Sequence, residues 1–187
     1  KYPWSEKYGW CQDPFGVNWQ LMIAGGTEEK IVPALFFTQS NNGKADEAIH
    51  FYTTVFKNSS IKMISRYEKG EPDTEGNIKH AQFTLNGQLF IALESSGPHM
   101  FTFTEGVSIF VSCESQEEID YYWTSLTADG GKESRCGWLK DKYGLSWQIV
   151  PSVLGSLMAD PVRGQKVMQA LLPMKKIEIS VLEKAAQ

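Results

Sequence analysis

Three cysteines and three histidines are all that this 187-residue chain offers of the side chains most used to hold metals or run nucleophilic chemistry. Cys11, Cys113 and Cys136 are odd in number and far apart, with no Cys-x-x-Cys pair. That excludes a disulfide framework and a cysteine zinc site, and the three are expected as buried, reduced thiols. No apolar run approaches the roughly 18 residues of a membrane span, and no signal-like leader is present, so no membrane partner and a cytoplasmic location are expected. With a formal net charge of -4 and no long basic run, nothing suggests a nucleic-acid groove.

What the chain does have is a repeat. Gly9, Trp10, Asp13, Gly16, Trp19 and Gln20 recur at one constant offset as Gly137, Trp138, Asp141, Gly144, Trp147 and Gln148. Each copy reads as two short strands joined by a polar turn, and two copies of a Trp-bearing hairpin indicate a duplicated unit. Cys11 stands where the second copy has Leu139, which marks that position as apolar.

Between the hairpins there is room for one complete domain. Residues 1–23 are expected to be the terminal strands of an upstream, truncated domain, and residues 24–30 a glycine-bearing linker. Residues 31–151 hold the complete domain, and residues 152–187 a helical tail whose apolar stripe packs on the domain or on a partner subunit. Within 31–151 the pattern runs β-α-β-β-β twice. The first helix carries Ala45, Ala48, Ile49, Tyr52, Val55 and Phe56 at helical spacing, leaving His50 toward solvent. Asn86-Gly87 is a strong two-residue hairpin signal. The second helix opens on the capping box of Ser115 and Glu118, buries Ile119, Tyr122, Trp123 and Leu126, and ends at Gly130-Gly131.

Two βαβββ units with Asp-x-x-Gly before the last strand resemble the vicinal oxygen chelate superfamily, which includes glyoxalase I, extradiol dioxygenases and bleomycin-resistance proteins. His80-Ala81-Gln82-Phe83-Thr84-Leu85-Asn86-Gly87, Phe101-Thr102-Phe103, Cys136 to Asp141 and Trp147 to Pro151 resemble its PhnB-like branch, labelled 3-demethylubiquinone-9 3-methyltransferase. The likeness covers residues 31 to about 176, and residues 1–23 resemble the end of a first such domain. It implies an α+β fold in which paired βαβββ modules form a half-open curled sheet around a pocket, plus C-terminal helices, commonly as a homodimer. It also implies metal positions near Pro33 or Ala34, at Ala92, at Ser108 and at Gln148. None of these offers the imidazole or carboxylate that such ions require, so no metal and no cofactor are expected.

Strand alternation gives the expected pocket. If Ala81, Phe83 and Leu85 face the helices, then His80, Gln82 and Thr84 face the inner side, and by the same parity so do Phe90, Ala92, Ser108, Phe110, Ser146 and Gln148. Val107, Ile109, Val111, Trp147 and Ile149 belong to the core, and Trp138 serves as wall or lid. Apolar walls with neutral hydrogen-bonding groups suit a small organic molecule. The reading is therefore a metal-free binding protein. The alternative is an enzyme: a metal-free isomerase or lyase using His80 as general base, or the methyltransferase of the family label. For the latter the chain lacks a glycine-rich strand-to-helix loop, since Gly25-Gly26 lies in a connector and Gly130-Gly131 ends a helix.

Overall fold

This computed structural model describes residues 6–23 and 29–187; most of the expected linker, residues 24–28, lies outside the described residues. The chain divides into two compact units, residues 1–32 and residues 33–187. In the first, β1 (Tyr8–Gln12) and β2 (Asn18–Met22) pair antiparallel around a turn at Asp13 to Gly16. Gly16 takes a φ of +89°, which only glycine adopts at little cost.

The second unit starts with β3 (Ala34–Phe37), α1 (Ala45–Val55), β4 (Ser60–Arg66), β5 (Ile78–Leu85) and β6 (Gln88–Glu94). It then repeats the series as β7 (Ser108–Cys113), α2 (Gln116–Thr127), β8 (Lys132–Glu133), β9 (Trp138–Lys140) and β10 (Ser146–Pro151). The sheets have matching orders, β3-β6-β5-β4 and β7-β10-β9-β8, and in each the first strand lies parallel to the last. That is the paired βαβββ architecture. Sequence reading missed β8, which at two residues is too short to show an alternating pattern.

Each sheet turns one face to the helices. Phe37, Ala81, Phe83 and Trp147 fill this side with Ile49 and Tyr52 from α1 and Ile119 and Leu126 from α2, all almost fully buried in one continuous core. Aromatic rings join the modules: Phe56 stacks on Tyr122 at 5.0 Å and on Trp147 at 5.2 Å between centroids. Both helix starts are fixed by side chains. Ser115 accepts from Glu118 N, as the capping box predicts. The start of α1 is held from a distance, where Ala45 N donates to Glu94 Oε1 at 2.9 Å.

The tail folds into α3 (Leu154–Leu157), α4 (Pro161–Leu171) and α5 (Ile179–Ala185) around Val167, Leu171, Ile177 and Leu182. It lies on the second module, where Cys136 N donates to Met174 O and Gly137 N to Lys175 O, each at 2.8 Å. Lys176 also pairs with Asp120 at 2.5 Å. Two core expectations fail. Cys11 is exposed, unlike buried Cys113 and half-buried Cys136. Val107 precedes β7 rather than lying in it, and is exposed. His50 is on the solvent side of α1, as its position on the helix predicts.

Candidate functional site

The faces of the two sheets turned away from the helices carry the expected site residues in two groups. On the first sheet, His80, Gln82 and Thr84 are half-buried and alternate with the buried Ala81, Phe83 and Leu85. His80 and Gln82 approach to 3.4 Å through their Nε2 atoms, and Thr84 Oγ1 accepts from Ser60 N at 3.1 Å. On the second sheet, Ser108 and Gln148 are joined by a bond of 2.7 Å from Gln148 Nε2 to Ser108 Oγ. Phe110 and Trp138 are the register partners of Gln148 on either side and share its face. No hydrogen bond links the two groups among the described residues.

Phe90 and Ala92 are not on this face. The two-residue turn at Asn86-Gly87, with φ of +48° and +83°, sets Phe83 opposite Phe90 and Ala81 opposite Ala92. Cross-strand partners share a face, so both point to the helices, and the Phe83 and Phe90 rings stack at 5.7 Å. The side chains beside His80, Gln82 and Thr84 belong instead to the alternate residues of β6, Leu89, Ile91 and Leu93, with Gln82 opposite Ile91 and Thr84 opposite Leu89. Sequence reasoning missed these three, although the Asn-Gly turn already fixes their register. Ser146 has the predicted parity but is fully buried, and its Oγ finds no hydrogen-bond partner among the described residues.

Of the site residues, only His80 titrates, and partial burial holds its imidazole below the ordinary 6.5. It is thus neutral at pH 7. The two buried carboxylates of the second unit are committed elsewhere. Glu94, almost wholly buried, accepts from Ala45 N and Ile78 N. Asp141 accepts from Tyr52 Oη, Trp147 Nε1, Tyr143 N and Leu145 N at 2.8 to 3.0 Å. Burial pushes the Asp141 carboxyl up despite these four donors, and its acceptor capacity is used within the core.

The positions where the superfamily implies a metal do not fit one. Ala34 and its register partner Ile91 carry no donor atom, and Ala92 faces the core. Ser108 and Gln148 supply only neutral oxygens, and the Ser108 Oγ already accepts from Gln148 Nε2. Among the described residues no group of three or more His, Cys, Asp or Glu side chains could hold a metal ion.

The family model for 3-demethylubiquinone-9 3-methyltransferase matches residues 29–150. The chain belongs to this family. Its solved relatives include the PhnB protein of Bacillus cereus, with 43% identity, a TM-score of 0.61, and 66% of this chain covering 100% of that one. A Pseudomonas aeruginosa protein shares the fold at 20% identity and a TM-score of 0.56, over 66% of this chain and 98% of its own. The fosfomycin resistance protein FosX of Listeria monocytogenes, solved with Mn(II), matches at 16% identity and a TM-score of 0.45, over 68% and 92%. A search of curated proteins found no match. PhnB-like membership thus agrees with the duplicated βαβββ sheets of the second unit.

Proposed function

We propose that this PhnB-like chain binds a small, partly apolar organic molecule without a metal, on the sheet faces turned away from the helices. The observation that carries the reading is the Gln148–Ser108 pair. Two positions that a metal-dependent relative would give to ligands hold neutral groups, with Gln148 Nε2 donating to Ser108 Oγ. Around them, Trp138 and Phe110 on one sheet and Leu89, Ile91 and Leu93 on the other give apolar surface, with His80 and Gln82 as hydrogen-bonding groups. Such a mixture orients a ligand by a few polar contacts and holds it by desolvation.

A second copy of the chain is the natural cover for these faces, because Phe110 is 58% exposed on the second sheet. Turnover is the lesser reading: His80 is neutral at pH 7, as a general base should be, but no carboxylate among the described residues is hydrogen-bonded to it. The methyltransferase activity named by the family description finds no support, since Gly130-Gly131 follows α2 and opens no helix.

The test is a titration with the amphipathic probe 1-anilinonaphthalene-8-sulfonate, read against thermal shifts with Mn(II), Ni(II) and Zn(II). Saturable probe binding weakened about tenfold by Gln148→Ala with Gln82→Ala, and no shift with the metals, is expected. A saturable shift with any one of the metals removes the metal-free reading, and failure of the probe to saturate removes the binding reading.

A further inference from the structure

The N-terminal hairpin reproduces the turn and the ladder register of the C-terminal one. Asp13 Oδ1 accepts from Phe15 N and Val17 N at 2.9 Å, and its Oδ2 accepts from Trp19 Nε1 at 3.1 Å. Asp141 does the same with Tyr143 N, Leu145 N and Trp147 Nε1. The turn bonds correspond as well: Gly16 N to Asp13 O at 3.0 Å, and Gly144 N to Asp141 O at 2.9 Å. So does the ladder, in which Cys11 faces Trp19 as Leu139 faces Trp147.

Around these shared bonds the copies differ in the donors to the aspartate and in what covers the tryptophan. Asp141 Oδ2 receives a further donor, the Tyr52 hydroxyl of α1 at 2.8 Å, and Trp147 lies under the rings of Tyr52 and Phe56 at 5.4 and 5.2 Å. Trp147 and Ile149 are therefore 1% and 0% exposed, whereas their counterparts Trp19 and Leu21 are 40% and 59% exposed. Phe15, Val17 and Cys11 are likewise exposed where Tyr143, Leu145 and Leu139 are buried. Two strands with one apolar face open are not stable alone in water.

We propose that this face of the β1–β2 hairpin is the docking site for a helix of another βαβββ module on the same polypeptide, N-terminal to the hairpin in chain order. That helix presents a tyrosine hydroxyl to Asp13 Oδ2 and an aromatic ring to Trp19, as α1 presents Tyr52 and Phe56 to Asp141 and Trp147. Chain order follows from the second unit, where both helices of the core precede the hairpin they cover. A second copy of residues 33–187 cannot offer these two contacts while it stays folded, because its Tyr52 and Phe56 are already committed to its own Asp141 and Trp147.

Hydrogen exchange read by mass spectrometry tests this, on the polypeptide at its natural length and on the 187-residue chain. In the natural polypeptide, peptides spanning Tyr8–Gln12 and Asn18–Met22 should be as protected as those spanning Trp138–Lys140 and Ser146–Pro151. Asp13→Ala should abolish protection of the first pair and leave the second unchanged, which also reports that the rest remains folded. In the 187-residue chain alone the first pair should exchange at least tenfold faster than the second. A natural polypeptide without such a module, or one whose hairpin exchanges freely, overturns the proposal. Protection of the hairpin in the 187-residue chain that rises with concentration also overturns it, in favour of a second copy.

Discussion

Asp141 has the most demanding position of any single residue in the second unit. It accepts two backbone N–H groups of its own turn, the Trp147 indole and the Tyr52 hydroxyl, and so ties the last hairpin to the helix of the other module. Asp141→Ala leaves those donors buried without an acceptor and should cost about 3 kcal/mol or more, read as a shift in the denaturant midpoint; a loss under about 1 kcal/mol would contradict this role. Two glycines of the same segment make a paired prediction. Gly137 and Gly144 both have positive φ, +81° and +83°, but a Cβ at Gly137 would lie 2.5 Å from Ile149 O while one at Gly144 meets nothing. Gly144→Ala should cost about 1–2 kcal/mol from conformation alone, and Gly137→Ala distinctly more. Equal costs in chemical denaturation would show that the close approach is relieved by movement.

His80 gives a third prediction at this scale. Because burial lowers its folded pKa, the unfolded chain takes up the proton first as pH falls below 6.5. The contribution of this group to stability is complete above 6.5 and declines from there down to the folded pKa, below which it levels off. An NMR titration should place the imidazole midpoint below 6.5, and His80→Gln should flatten that part of the pH–stability curve. A midpoint at or above 6.5 would mean that the face is wetter than the structure shows.

At the scale of elements, the β5–β6 hairpin shows how a turn decides a face. Alternation along β5 alone assigns His80, Gln82 and Thr84 to the face away from the helices, and they are there. Alternation along β6 fixes two sets of residues without saying which set faces where. That choice comes from the loop: with Asn86 and Gly87 between them, Leu85 must oppose Gln88, and Phe90 and Ala92 follow Phe83 and Ala81 into the core. Their parity was within reach of the sequence, since Asn-Gly selects a two-residue type I′ turn. The start of α1 was not. Its N-terminus is held by Glu94, remote in sequence and brought near by the β3–β6 pairing, and no local capping residue announces it.

At the scale of the whole molecule, the second unit buries the helix side of each sheet in one core and leaves the other side to its surroundings. If a second copy covers that side, sedimentation should give twice the chain mass, and Phe110→Glu, a charge on a half-exposed apolar face, should return it to a single chain. A wild-type chain sedimenting at its single-chain mass of 21.1 kDa would show that these faces meet solvent or ligand alone. No helix among the described residues is long and apolar enough to cross a membrane, which agrees with the absence of any long hydrophobic run.

The sequence by itself determined the duplicated βαβββ pattern, the two Trp-bearing hairpins and the family, because periodicity, turn residues and repeat spacing are local properties that survive without coordinates. It also determined that the expected metal positions lack metal-binding side chains, since that depends only on residue type. Tertiary structure alone decided which neutral groups meet, because Gln148 and Ser108 come together only through the parallel pairing of β10 with β7. It also decided that the Asp–Trp lock is buried under Tyr52 in one copy and lies open in the other. Burial is set by what packs against a segment, and the hairpin motif, the same in both copies, does not encode its cover.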